Sequence, residues 1–364
     1  MEFPQRPEDV SAAWLAEVFA TDETDVGEVR VEPLGEGVGF TSATCLIRTA
    51  GGGDVPACLF AKFATDYEAA AAMAARFELF GREAAFYAEL APEVPIRTPR
   101  CYFSDFDAKS QCGVILQEDC SIYGLRAQTD EQPTTLAELE EIVDVLARLH
   151  GRVDDPSLLQ HDWLLRVDGP ILVDFFEMMG DNWPTFLESP FVDLLPPGLE
   201  SQYDRMAKVY TPLVLKHWAR SGLSLGHFDY RVDNLFIDEG AEDPVIVFDW
   251  QSAVLGRPAY DLAYLLGGGY SPEFRRAQER ELVELLCEKL EGLGRTDYDF
   301  DAAWWDYRFG VFYNQWVFVQ TATNLDMSSE RGMDLMRTLT RRFSQFFDDH
   351  GGVDLIDELE RNQP

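Results

Sequence analysis

A short polar segment, followed by two apolar runs, constrains this chain more than any other feature of its sequence. The polar segment is HFDYRVDN at residues 227–234, and the apolar runs are residues 235–237 and 245–248. The second run leads into an Asp-Trp-Gln sequence that begins at Asp249. Short apolar runs separated by a turn predict two strands, and a hairpin between them would bring Asp249 back toward the polar segment.

Asp229, Asn234 and Asp249 are the residue types that phosphoryl transfer requires. That reaction needs a carboxylate that positions the attacking hydroxyl, together with oxygen ligands for Mg²⁺ on a triphosphate. Asp229 fits the first role, and Asn234 and Asp249 fit the second. An Asp and an Asn in one loop are weak evidence by themselves, because both residues favour turns. Their combination with His227, the predicted hairpin and the second Asp favours a catalytic site, in which His227 would brace the loop.

The first 117 residues predict an antiparallel sheet interrupted by one long helix. The helix is expected at residues 66–90, which are rich in Ala and Glu and are followed by two prolines. Apolar and β-branched runs bounded by turn residues predict the strands. These strands are expected at residues 29–33, 43–49, 57–63, 100–104 and 112–117.

Residues 118–364 are expected to be mainly helical, so the change in composition near residue 118 is the predicted domain boundary. Residues 136–150 have apolar side chains at helical spacing. Further helices are predicted at residues 201–221, 258–268, 273–293, 301–325 and 329–349. The fold class is therefore α+β, with an N-terminal lobe of residues 1–117 and a larger C-terminal lobe of residues 118–364.

A glycine-rich segment, GEGVGFTS at residues 35–42, joins the first two predicted strands. Gly37 and Gly39 would let the backbone approach phosphates closely, and Ser42 adds a hydroxyl donor. A hairpin tip without any function is the generic alternative. The segment is not a Walker P-loop, because no Gly-Lys-Ser/Thr follows, and it does not precede a helix as a Rossmann motif does.

Lys62 lies in the mostly apolar run of residues 59–63. A lysine in such a strand faces a cleft, finds a buried partner or points to water at a sheet edge. The predicted helix that follows offers several acids as partners, including Glu78, Glu83 and Glu89, and spacing alone does not choose among them.

The chain carries a formal net charge of −35, which repels nucleic acid and anionic membranes. This charge would favour cationic partners, although a solvated acidic surface is the preferred explanation for it. No apolar run reaches the roughly 20 residues of a membrane helix. The six cysteines have no paired metal-binding spacing and are typical of reduced thiols, so we expect a cytoplasmic protein.

The order of these elements resembles the aminoglycoside phosphotransferase and choline kinase superfamily, whose members are relatives of protein kinases. Residues 226–236 (GHFDYRVDNLF) resemble its catalytic loop, and Asp249-Trp250-Gln251 resembles its metal-binding segment. Residues 257–263 (RPAYDLA) resemble the start of the next helix. The Gln after Asp-Trp is similar to the ecdysteroid-kinase-like and bacterial phosphotransferase relatives.

The resemblance implies a protein-kinase-like fold and assigns further residues. It selects Glu83 as the partner of Lys62, and it places Gln117 and Asp119 at the hinge beside the adenine of ATP. It implies that Asp261 braces the catalytic loop, for which an acid in the first turn of its helix is the generic alternative. Phe228 departs from the pattern, because many relatives have glycine there.

Residue chemistry and resemblance together predict an ATP- and Mg²⁺-dependent enzyme that phosphorylates a hydroxyl of a small-molecule acceptor. Lys62 and the glycine-rich segment would hold the phosphates, and Asp229 would position the acceptor. A nucleotide-binding module without transfer activity is the alternative. A Ser/Thr protein kinase is disfavoured, because only a dozen residues separate Asp249 from Asp261 and leave no room for an activation loop.

Overall fold

The chain forms two compact units, each built from two stretches of sequence. The first unit comprises Met1–Gly124 and Phe236–Ala253, and the second comprises Leu125–Leu235 and Val254–Pro364. The domain boundary that we predicted between residues 117 and 118 stays a prediction. The computed structural model describes residues 2–34, 42–65, 68–125, 135–202, 205–206, 222–324 and 330–361.

An antiparallel sheet of five strands dominates the first unit, as the sequence predicted. Its order is β1-β2-β3-β5-β4, and each neighbouring pair is antiparallel. Two helices precede it, α1 (Ala12–Phe19) and α2 (Glu23–Val26). The strands are β1 (Arg30–Pro33), β2 (Ser42–Arg48), β3 (Cys58–Ala64), β4 (Cys101–Asp107) and β5 (Cys112–Glu118).

The alternation of side chains along β3 decides where Lys62 lies. Leu59, Ala61 and Phe63 point to one face, where they join the apolar core that also contains Trp14 of α1. Because successive side chains of a strand point to opposite faces, Lys62 lies on the other face of the sheet. The lysine is nevertheless buried, with 9% of the residue exposed.

The helix expected at residues 66–90 is wrong as a single element. The structure has α3 (Glu68–Arg76), α4 (Leu79–Ala85) and a π-helical turn (Phe86–Leu90) in its place. Glu78 separates the first two, because its φ of 51° is left-handed and ends the α-helical hydrogen-bond ladder. No glycine or proline marks this break in the sequence, so composition could not have indicated it.

Residues 236–253 belong to the first unit, although the segments before and after them belong to the second. The predicted strands are present as β8 (Leu235–Ile237) and β9 (Val245–Val247), in a small sheet of order β6-β8-β9 with β6 at Gly124–Leu125. A 3₁₀ turn, Trp250–Ser252, follows β9 directly after Asp249.

The second unit is mainly helical, as expected. Its helix α5 begins with a capping box in which Thr135 and Glu138 satisfy each other's backbone N–H groups. Two helices, α6 and α11, were not predicted, and most of the one expected at 201–221 lies outside the described residues. Short strands β7 (Ser224–Gly226) and β10 (Val254–Gly256) form an antiparallel pair. The helices are α5 (Leu136–His150), α6 (Pro170–Leu187), α7 (Pro258–Gly269), α8 (Pro272–Gly292), α9 (Phe300–Asn324), α10 (Glu330–Asp349) and α11 (Gly352–Arg361).

A substitution at Gly113, which lies in β5, tests how closely helix α4 packs against the five-stranded sheet of the first unit. A Cβ atom at Gly113 would lie 2.5 Å from the Phe80 ring and 2.9 Å from the carbonyl oxygen of Asp105. We expect Gly113→Ala to lower the free energy of unfolding by about 1–3 kcal/mol, because a backbone atom cannot move aside cheaply. Gly240→Ala, whose Cβ would meet its nearest atom at 3.9 Å, is the control and should change stability by less than about 0.5 kcal/mol. Equal urea midpoints for the two variants would contradict this packing.

Candidate active site

Lys62 is the centre of a buried ion cluster in the first unit. Its Nζ atom lies 2.5 Å from Oε2 of Glu83 and 2.9 Å from Oδ1 of Asp249. Strand β3, helix α4 and the end of β9 supply one residue each. Glu83 is thus the helix acid that meets Lys62, as the family resemblance implied. The arrangement joins three segments that are distant in sequence through one ammonium group.

The charges of this cluster do not cancel. Burial lowers the pKa of Lys62, but the charges of Asp249 and Glu83 outweigh it and raise that pKa above its usual value. Burial raises the pKa of Glu83, and the charge of Asp249 adds to this effect, although the charge of Lys62 opposes it. Two carboxylates therefore share one cation, and with both ionised the cluster carries one net negative charge. Additional positive charge would be stabilised beside it.

Asp249 has an unusual backbone conformation. Its φ of 65° is left-handed, a region that Asp enters at a cost of about 1 kcal/mol or more. The next residue, Trp250, is fully buried and stacks on Phe86 with ring centroids 4.0 Å apart and planes 7° apart. Its indole nitrogen donates to the carbonyl oxygen of Val247. Packing on both sides therefore holds the turn that presents the Asp249 carboxylate.

Asp229 and Asn234 face each other in the second unit. The amide nitrogen of Asn234 donates to Oδ2 of Asp229 and to its carbonyl oxygen, each at 2.9 Å. The spacing of five residues closes the loop into a compact turn. This contact uses the nitrogen of the Asn234 amide, so the amide oxygen is the atom suited to a metal ion.

Two residues that the sequence did not suggest also contact the Asp229 carboxylate. The Nε atom of Arg231 lies 3.3 Å from Oδ1 of Asp229, and its Nη1 donates to Asp233 at 3.0 Å. Burial, the charge of Asp229 and a hydrogen bond to it raise the pKa of Tyr264 well above its usual value, so the phenol stays protonated. Asn234, Arg231 and Tyr264 together fix the orientation of the carboxylate.

Asp261 braces the backbone just before Asp229, as the resemblance implied. Its carboxylate accepts hydrogen bonds from the backbone N–H groups of His227 and Phe228, both at 2.8 Å. Phe228 has a left-handed φ of 67°, which explains why glycine suits this position in relatives. Charge-assisted bonds to two successive N–H groups stabilise the strained turn that leads into Asp229.

His150, a buried histidine that the sequence did not suggest as a site residue, contacts the carboxylate of Asp261. The Nε2 atom of His150 lies 3.1 Å from Asp261, and its Nδ1 lies 2.7 Å from the hydroxyl of Ser224. Arg295 donates to the same hydroxyl and to the carbonyl oxygen of His150. Burial lowers the pKa of His150 although Asp261 opposes this effect, so the imidazole is neutral and donates through Nε2.

The remaining predicted residues lie at the sheet or outside the described ranges. Gly37 and Gly39 are outside them, and Ser42 is the first residue of β2. Gln117 is buried in β5 and, since Phe60 pairs with it, lies on the Lys62 face of the sheet. Asp119 caps a 3₁₀ turn by accepting from Ser121 N. Adenine binding by Gln117 and Asp119 stays a prediction.

The described residues contain no cluster of three or more His, Cys, Asp or Glu side chains that could hold a metal ion. Mg²⁺ usually binds through one or two protein groups together with substrate phosphates and water. Asn234 and Asp249 each carry a side-chain oxygen of the type that this mode of binding uses, and their role as metal ligands stays a prediction. Likewise, within the described ranges no helix is long and apolar enough to cross a membrane.

Comparison with known families agrees with the resemblance of the motifs. The model of the phosphotransferase enzyme family (APH) matches residues 31–304 of the 364 residues. This match spans most of the chain and includes Lys62, Glu83, Asp229, Asn234 and Asp249. The protein therefore belongs to the phosphotransferase enzyme family. No curated protein sequence matches the chain significantly.

Solved structures share its fold at low sequence identity. A putative aminoglycoside phosphotransferase from Ralstonia eutropha JMP134 is 16% identical, with a TM-score of 0.53 over 93% of this chain and 97% of that one. Choline kinase from Cryptosporidium parvum Iowa II is 12% identical, with a TM-score of 0.58 over 92% and 93%. APH(2")-IIia in complex with GDP and kanamycin is 14% identical, with a TM-score of 0.53 over 97% and 100%. The fold is thus that of aminoglycoside phosphotransferases and choline kinases.

His150 makes stability depend on pH. The unfolded chain binds a proton on this residue near pH 6.5, whereas the folded chain, with its lowered pKa, does not. The stabilisation by His150 is therefore complete above pH 6.5 and is lost as the pH falls below it, at up to about 1.4 kcal/mol per pH unit. We expect the advantage of the wild type over His150→Gln in urea unfolding to shrink between pH 7.5 and pH 5.

The control for this experiment is Gln160→Ala, since Gln160 is exposed and carries no titratable group. The unfolding free energy of this variant should run parallel to that of the wild type over the same pH range. A constant difference between wild type and His150→Gln would show that His150 does not titrate differently in the folded and unfolded chains.

Proposed function

We propose that this protein is a small-molecule kinase that transfers the γ-phosphate of ATP to a hydroxyl group of its acceptor. The observation that carries the proposal is the buried contact of Lys62 with both Glu83 and Asp249. In kinases a lysine on this strand pairs with a helix glutamate and binds nucleotide phosphates, and an aspartate beside it binds Mg²⁺. The proposal includes a cytoplasmic location, which the six free cysteines support.

Lys62 acts as an exchangeable partner of Asp249 in this proposal. Its ammonium neutralises Asp249 until the nucleotide arrives and then contacts the phosphates, while Glu83 keeps the lysine in place. Gly37, Gly39 and Ser42 add donors for the phosphates. Asn234 and Asp249 would hold Mg²⁺, which would supply charge neutralisation on the triphosphate.

Asp229 positions the acceptor hydroxyl and takes up its proton as the phosphoryl group is transferred. Its carboxylate is oriented by the hydrogen bond from Asn234 and by the guanidinium of Arg231. A carboxylate held in one orientation needs no rearrangement when the hydroxyl arrives, which is the main contribution a protein makes to this reaction. The brace from Asp261 to the preceding backbone serves the same purpose.

The acceptor is proposed to be a small hydroxylated molecule. A structure of similar fold contains kanamycin and GDP, and another is a choline kinase. Both kanamycin and choline are cations with hydroxyl groups. The net charge of −35 on this chain favours the approach of cationic molecules, so a screen should begin with amino sugars and amino alcohols.

Asp229→Asn tests the proposed catalytic role. The variant keeps the shape of the side chain and removes the charge that accepts the proton, so we expect acceptor-dependent ADP release to fall by about 10²–10⁴-fold. The assay is a coupled measurement of ADP release over a library of amino sugars, amino alcohols, sugars and sterol-like alcohols with ATP or GTP. Asp168→Asn is the control, because Asp168 is an exposed acid of the same unit.

The outcomes separate the kinase from a nucleotide-binding module without transfer activity. A kinase shows acceptor-dependent turnover in the wild type and in Asp168→Asn and loses it in Asp229→Asn, while nucleotide binding persists in all three. Nucleotide binding without turnover on any acceptor in the library would support the binding module. Equal turnover in Asp229→Asn and wild type would remove Asp229 from the mechanism.

A further inference from the structure

Arg82 is a buried cation for which the proposed mechanism has no use. It precedes Glu83 on α4, and only 2% of the residue is exposed. Burial lowers its pKa to about 10, which still leaves the guanidinium charged at neutral pH. Burying a charge is costly unless hydrogen bonds compensate it. The partners of Arg82 therefore indicate what this charge stabilises.

The Nη1 atom of Arg82 joins two distant parts of the backbone within the first unit. It donates to the carbonyl oxygen of Phe77 at 3.0 Å and to that of Gln251 at 3.1 Å. Phe77 lies at the break between α3 and α4, and Gln251 lies two residues after Asp249. One guanidinium nitrogen thus ties the beginning of α4 to the turn that follows the predicted metal ligand.

Both tied segments contain a non-glycine residue in the left-handed conformation. These residues are Glu78, with a φ of 51°, and Asp249, with a φ of 65°. Such conformations persist only where surrounding contacts enforce them. A charge-assisted hydrogen bond to a carbonyl within two residues of each left-handed residue is such a contact, and it acts on backbone atoms, so it constrains the path of the chain directly.

The stack of Phe86 on Trp250 adds a second link between the same two segments. Phe86 opens the π-helical turn that continues α4, and such turns are frequent at functional sites. The residues that make these two links, Arg82 and Phe86, are four residues apart on one segment, and their partners Gln251 and Trp250 are adjacent on the other. Neither link involves Lys62. We call the two links together the α4 clamp.

We propose that Arg82 is a positioning residue that holds Asp249 in its metal-binding conformation through the carbonyl group of Gln251. The inference rests on the proposed function for its metal-binding part. When a nucleotide draws Lys62 away from Asp249, the ion pair no longer restrains that carboxylate. The α4 clamp then keeps the turn in place, so Asp249 stays oriented while its partner changes.

Hydrogen exchange of the full chain tests the clamp without requiring any activity. In Arg82→Met, we expect the amides of residues 249–253 and 77–82 to exchange about tenfold faster or more, because the hydrogen bonds to both carbonyls are lost. Strands β1 and β2 should exchange as in the wild type. Arg82→Lys should give a smaller change, since an ammonium group cannot reproduce the fork of a guanidinium.

A second measurement follows the consequence for metal binding. It compares thermal shifts with ADP alone and with ADP and Mg²⁺. We expect Arg82→Met to keep the shift with ADP alone and to need about tenfold more Mg²⁺ for the additional shift, because a mobile Asp249 binds the cation less tightly. Arg82→Lys should recover part of the Mg²⁺ response. Arg76→Met is the control, because Arg76 is an exposed arginine on the preceding helix α3.

The outcomes decide the inference in every case. Unchanged exchange at residues 249–253 in a folded Arg82→Met would show that Arg82 only fills space and would overturn the proposal. If Arg82→Met does not fold, Arg82→Lys replaces it, with both effects expected at smaller size, and unchanged exchange at residues 249–253 in that variant overturns the proposal. If the wild type shows no nucleotide shift, the proposed function and the metal-binding part fail together, while exchange still decides the clamp.

Discussion

One ammonium group shared by two buried carboxylates is the interaction on which the first unit depends. Lys62 meets Glu83 and Asp249, and with both acids ionised the cluster is one positive charge short. The sheet places Lys62 there by simple alternation, because its neighbours on β3 face the apolar core. In the proposed function, Lys62 leaves Asp249 and the positive charge of a metal–nucleotide complex takes its place. Membership of the phosphotransferase enzyme family supports this proposal.

In the second unit, hydrogen bonds hold the strained loop before Asp229 in one conformation. Asp261 accepts hydrogen bonds from the backbone N–H groups of the two residues that precede Asp229. The carboxylate of Asp261 is also contacted by His150. Both units therefore use the same strategy. A left-handed residue, Asp249 in one and Phe228 in the other, turns the chain sharply, and buried polar contacts to the backbone stabilise the turn. Strain of this kind is common where side chains must be presented for chemistry.

The sequence predicted those features that depend on local pattern. Apolar and β-branched runs bounded by turn residues indicated the five strands, and apolar side chains at helical spacing indicated α5. The spacing of Asp229 and Asn234 indicated that they share one loop, and the structure adds the hydrogen bonds between them. Features that depend on tertiary packing were missed, such as the helix break at Glu78 and the roles of Arg82 and His150. The residues next to Arg82 and His150 in sequence do not indicate that each has a partner more than 100 residues away, a carbonyl group for Arg82 and a carboxylate for His150.

The central claim is that Mg²⁺ and nucleotide replace Lys62 at Asp249. Isothermal titration calorimetry with the non-hydrolysable analogue AMP-PNP, with and without Mg²⁺, tests it most directly on wild type and Asp249→Asn. The account predicts that Mg²⁺ tightens nucleotide binding in the wild type and that this gain disappears in Asp249→Asn, while metal-free binding through Lys62 persists. The same Mg²⁺ dependence in both proteins, or no binding of the analogue to the wild type, would contradict the account.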